Sequence, residues 1–112
     1  MHKQNIINLS LKDVDELYRA YMPNIQNGAL FVATHKSYQM GDEVFLLLSL
    51  MDENERLPIP GKVVWITPPN TNTQRPAGIG IQFNPNDNGQ MRARIETYLA
   101  GKLNSDRPTF TF

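Results

Sequence analysis

Apolar and polar residues alternate in short bursts along the chain, and the period of the alternation changes from one burst to the next. Ile7, Leu9 and Leu11 fall on one face of an extended segment, which predicts a first strand at Ile6–Leu11. Asp13 and Glu16 then stand at capping-box spacing. Val14, Leu17, Tyr18 and Tyr21 follow at the period of one helical face, so strand and helix together should fill 6–22, with Pro23 stopping the helix. From Gly28 the pattern is β throughout. Strands are expected at Ala29–Ala33, 43–51, 57–66 and Gly78–Phe83, with a turn at Gly41 and Asp42 and another at 52–55. Pro58 and Pro60 predict that the 57–66 strand is bent or placed at an edge. A loop rich in Pro, Asn and Thr covers 68–77. Met91, Ile95, Tyr98 and Leu99 mark a second helix from about Asp87, and Gly101 fits its C′ position.

Short strands at roughly ten-residue spacing with a helix at each end predict a mainly β fold, a small antiparallel barrel. One domain is expected over residues 1–103, with the barrel at 24–84, a helix at 87–100 and a tail at 104–112 that has no periodicity. A chain of 112 residues buries enough surface for a single core. It has no cysteine, which excludes disulfides, zinc–thiolate sites and thiol nucleophiles. Eleven basic and eleven acidic residues cancel, so no general attraction to nucleic acid is expected. An oligonucleotide-binding barrel would want a basic groove interleaved with aromatics, and none is evident. No apolar run reaches the length of a membrane span, and a soluble cytoplasmic protein is expected. His2 and His35 have no partners at ligand spacing, and the Ser, Asp and Glu residues form no catalytic motif; neither a metal, a cofactor nor an enzymatic activity is expected. Gly78 and Gly80 open no helix and read as points of close backbone approach, not as a phosphate loop. Trp65 reads as a core or half-buried residue.

The run Asn24-Ile25-Gln26-Asn27-Gly28-Ala29-Leu30-Phe31-Val32 has a polar tip with a glycine that leads straight into an apolar strand. With Gly41-Asp42-Glu43-Val44, Gly61-Lys62-Val63-Val64-Trp65 and Ala77-Gly78-Ile79-Gly80-Ile81-Gln82-Phe83, it resembles the PilZ domain family. The segments 17–23, 41–48, 55–58 and 95–101 resemble more closely the single-domain branch of that family that serves type IV pilus assembly. The resemblance implies a six-stranded barrel with a C-terminal helix. In the wider family this barrel binds cyclic di-GMP through an R-x-x-x-R pair ahead of the first barrel strand and a [D/N]-x-S-x-x-G loop. No two arginines of this chain stand four apart. In the loop Asn24 fits, but Gln26 stands in the serine position and Ala29 in the glycine position. A doubly anionic ligand thereby loses several charge-assisted bonds, each worth roughly 1.5–3 kcal/mol.

The pilus branch departs from ligand-binding relatives in the same way. It implies a cytoplasmic adaptor in pilus biogenesis and twitching motility, with the pilus extension ATPase and a degenerate GGDEF–EAL cyclic di-GMP receptor as partners. A cyclic di-GMP receptor with an altered loop remains the alternative. Tyr21 and Met22, at the end of the first helix, are candidate partner contacts. So are Pro108, Phe110 and Phe112, whose rings would share one side of an extended tail.

Overall fold

The computed structural model describes residues 6–51, 53–69 and 76–100. The expected cap Gly101, the tail 104–112 and the candidate contacts Pro108, Phe110 and Phe112 lie outside these residues. Six strands form one sheet: β1 (Ile6–Leu11), β2 (Tyr21–Met22), β3 (Ala29–Ala33), β4 (Glu43–Leu50), β5 (Leu57–Thr67) and β6 (Gly78–Phe83). The order across the sheet is β1-β4-β5-β6-β3-β2. Helix α1 (Val14–Ala20) joins β1 to β2, and α2 (Gln90–Tyr98) follows β6 after a 3-10 turn at Pro85–Asp87.

Two features correct the expected antiparallel barrel. First, β1 pairs with β4 in parallel, Ile6 opposite Phe45 through Leu11 opposite Leu50. A hairpin would have reversed the chain after β1. The α1 crossover instead returns it in the same sense. Second, no ladder joins the two outer strands, β1 and β2, among the described residues. The sheet is a curled half-barrel, and α1 runs from one of its edges to the other. Leu17, Tyr18 and Ala20 of α1 are buried in the same core as the strands, so the helix takes the place of a closing ladder.

The helix is shorter than its periodicity implies. Asp13 caps it, its Oδ1 accepting from the Glu16 N–H at 2.8 Å. Glu16 reaches back to the Lys12 N–H, one residue before the reciprocal partner of an ideal capping box. The helical backbone stops at Ala20, and Tyr21 is already extended at φ −73°, ψ 137°. Tyr21 and Met22 then pair with Leu30 and Ala29 as β2.

The inner face of the sheet carries the core. Leu46, Leu48, Leu50, Leu30, Ile81 and Phe83 are fully buried, and Met91 and Ile95 of the second helix join them, with Leu99 at its C-cap. Each such side chain contributes roughly 1.5–3 kcal/mol. Strand β3 is covered on its outer face as well. There Phe31, Ala29 and Met22 form a second small cluster with Ile25 and Trp65. Trp65 is half-buried at a bulge in β5 and donates its indole N–H to Thr67.

The prolines of β5 sit where a missing N–H costs little. Pro60 accepts from the Asn84 N–H on the β6 side, so its nitrogen, and that of Pro58 two residues earlier, face away from the β4 ladder. Pairing with β6 begins only at Gly61.

Glu53 ties the β4–β5 turn to α2. It accepts from the Tyr98 hydroxyl and from Arg94. The Tyr98 bond, and then the Arg94 bond and charge, lower its pKa from the ordinary 4.5. A lowered folded-state pKa stabilises above the unfolded value, and that contribution disappears as pH falls through the folded value. Glu53→Gln should therefore lower the denaturation midpoint at neutral pH, and the gap to the parent should close as pH falls below the ordinary carboxylate range. A midpoint titration across that range, with a gap independent of pH, would refute the linkage.

Candidate functional site

The segment 23–28 crosses from β2 to β3, and its geometry is fixed from within the protein. Asn27 and Gly28 both adopt left-handed backbone, at φ 69° and 82°. At Gly28 a Cβ would also meet the rings of Phe83 and Tyr21 at 3.3 Å, so this position accepts only glycine without strain. The Gly28 N–H donates to the Ile25 carbonyl at 2.7 Å, which tightens the turn. Its own carbonyl accepts from Phe83 N–H at 3.0 Å, and the Gln82 side chain donates to the Gln26 carbonyl at 2.8 Å.

The remaining anchor is an arginine from α2. Arg92 donates through Nη2 to the Pro23 carbonyl at 3.1 Å and through Nη1 to the Ile25 carbonyl at 3.4 Å. Its Nε pairs with Glu96 at 3.0 Å. Glu96 in turn accepts from the buried Tyr21 hydroxyl at 2.7 Å. Burial, and then that bond to a carboxylate, push the Tyr21 phenol above its ordinary range, so it stays a neutral donor. The guanidinium at this loop is thus engaged on three sides by the protein itself. The i,i+4 spacing of Arg92 and Glu96 is legible in the sequence as a helix pair, but nothing in it announces the reach to the loop.

Beside the loop lies a pocket of about 370 Å³ whose lining includes Gln26, Asn27, Glu43, Lys62, Gln82 and Asn84. Its lining includes one cationic side chain, Lys62, and one anionic side chain, Glu43. Such a lining offers hydrogen bonds but no net field for a dianion. Ahead of the loop, Arg19 is exposed on α1 and its Nε bonds the Asp15 carbonyl, while Lys12 is exposed before the helix.

The expected site residues separate. Asn24 and Gln26 are exposed at the loop tip. Ala29 is fully buried, opposite Gln82 in the β3–β6 ladder. Tyr21 and Met22, expected at a partner surface, are core residues with no exposed area, and this corrects that expectation. The two-residue strand β2 sends Tyr21 into the main core and Met22 into the outer cluster. His35 is exposed in the β3–β4 connection. Among the described residues, no group of three or more His, Cys, Asp or Glu side chains could hold a metal ion, and no helix is long and apolar enough to cross a membrane.

The chain belongs to the PilZ domain family, whose sequence model matches residues 5–101. No curated protein matches it in a sequence search.

Proposed function

We propose that the chain is a non-enzymatic, cytoplasmic adaptor of type IV pilus biogenesis and twitching motility. It links the pilus extension ATPase to an EAL-type receptor of cyclic di-GMP and does not bind cyclic di-GMP itself. One observation carries the reading. The loop that would close on the ligand has no arginine pair, and the one arginine at its base, Arg92, is spent on loop carbonyls and Glu96. Gln26 and Ala29 replace the serine and glycine of the ligand motif, and Ala29 is buried in a ladder where it reaches no ligand. A pair of charge-assisted forks is the usual means of holding two phosphates, and among the described residues nothing at this loop replaces it.

The competing reading, a cyclic di-GMP receptor with an altered loop, has the pocket beside Gln26, Asn27 and Gln82 in its favour. Co-purification separates the two. The tagged chain should retain the ATPase and the receptor from a reconstituted mixture whether or not cyclic di-GMP is present. Retention of neither partner would overturn the adaptor reading. The C-terminal candidates Pro108, Phe110 and Phe112 belong to the same proposal. Deleting 108–112 should leave the melting temperature of the domain unchanged and weaken ATPase retention at least several-fold. Undiminished retention would remove the tail from the interface.

A further inference from the structure

A broad groove lies away from the loop. The stretch of β5 that β6 does not pair, 57–60, faces α2 across a groove of about 770 Å³. Leu57, Pro58, Ile59 and Pro60 form one wall, and Met91, Ala93 and Thr97 form the other with Arg94. The apolar surface continues over the strand wall. Pro60 stands opposite Phe45, and Phe45 opposite Ile6, in one row across the outer face. Phe45 is 41% exposed and Ile6 52%. Leu47 and Pro58 form the adjoining row.

The chemistry of the strand wall restricts what can fill the groove. An incoming β-strand needs donors as well as acceptors along the edge. Here the two positions that would donate are Pro58 and Pro60, and the Pro60 carbonyl is already bonded to Asn84. An occupant that meets its own backbone bonds internally loses nothing at such an edge, and that is a helix. The helix wall, α2, spans nine residues, about two and a half turns.

Charge orients the occupant. The Asp87 carboxylate at one end is consumed by the N–H groups of Gly89 and Met91. At the other end, beside Leu57, Arg56 is exposed and among the described residues donates to Asn8 at 3.5 Å, while the Arg94 charge on α2 is taken up by Glu53. We infer that this groove docks an amphipathic helix of a partner protein. Its apolar residues at i, i+3 or i+4, and i+7 would pack on Pro58, Pro60, Ala93 and Thr97, and its acidic end would lie at Arg56. The inference deepens the adaptor reading, on which it rests for its partner, but its test does not need the natural partner.

The probe is a synthetic lactam-bridged helix with leucine at those spacings and glutamates at one end, titrated into the isotope-labelled full chain. Shifts should concentrate at 57–60, 93 and 97 and leave 24–29 still, with a dissociation constant below about 100 μM. Ala93→Glu and Thr97→Glu, both on exposed helix positions, should each weaken binding at least tenfold without changing the melt. Arg56→Glu should weaken the glutamate-ended helix and favour a lysine-ended one. Absence of binding, or binding indifferent to all three variants, overturns the inference. So does self-association of the chain that Ala93→Glu abolishes, which assigns the face to a second copy. Binding seen only after deletion of 101–112 assigns the groove to the chain's own C-terminal segment and likewise overturns it. A chain that binds the probe but neither pilus partner sinks the adaptor reading alone.

Discussion

Gly78→Ala should destabilise the domain by about 3 kcal/mol, at the upper end of the usual cost of overpacking. Gly78 pairs with Ala33 at the end of the β3–β6 ladder. A Cβ built there would lie 2.2 Å from the Val32 carbonyl oxygen, 2.5 Å from Phe31 Cζ and 3.0 Å from Ala33 Cα. Two of these three are backbone atoms of the neighbouring strand, which cannot rotate aside as a side-chain end can. Either the two strands separate or the Phe31 ring leaves its cluster with Met22 and Trp65. Gly41 supplies the control. It has positive φ, 91°, but open space around the position of its Cβ, so Gly41→Ala should cost only about 1 kcal/mol from backbone strain. Urea denaturation of both variants measures the difference. Equal losses would mean that the close approach of β3 and β6 contributes nothing.

Arg92→Ala should cost about 2 kcal/mol and loosen the loop. The substitution removes two bonds to the Pro23 and Ile25 carbonyls and the ion pair with Glu96. Hydrogen bonds to a charged group contribute roughly 1.5–3 kcal/mol, and partial exposure of the Arg92–Glu96 pair reduces its share. Glu96 keeps the Tyr21 hydroxyl as a donor, so the core beneath is held while the loop above is released. Amide exchange should therefore quicken at 25–28 more than in the β4–β5 ladder. Glu96→Gln, which keeps an acceptor for Tyr21, should cost less than Arg92→Ala. If exchange instead quickened uniformly, Arg92 would be a general support of the fold and not the clamp of this loop.

Much of the fold is legible in the sequence because its strands bury one face and alternate. Strands β1, β3, β4, β5 and β6 stand within a residue of their expected bounds. Gly78 and Gly80 do mark close approach, with Phe31 above one and Met22 above the other. The edge placement expected as one outcome of Pro58 and Pro60 appears over 57–60, the stretch of β5 that lacks a β6 neighbour. What was hidden is non-local. Strand β2 has two residues and no period of its own, and the helical spacing of Tyr21 with Leu17 and Tyr18 hid its switch to extended backbone. The parallel β1–β4 pairing follows from the sense of the α1 crossover, which periodicity does not encode. The departures from the ligand motif could be read off the sequence, but the engagement of Arg92 with the loop could not, because 67 residues separate it from Ile25.

On the proposed function, the loop at 23–28 does not seat a doubly anionic ligand. Titration calorimetry of cyclic di-GMP into the full chain tests it most directly. No heat of binding is expected at micromolar concentrations, and none should be gained in Arg92→Ala. A low-micromolar dissociation constant for the parent chain that Arg92→Ala abolishes would contradict it, and would make Arg92 a ligand group.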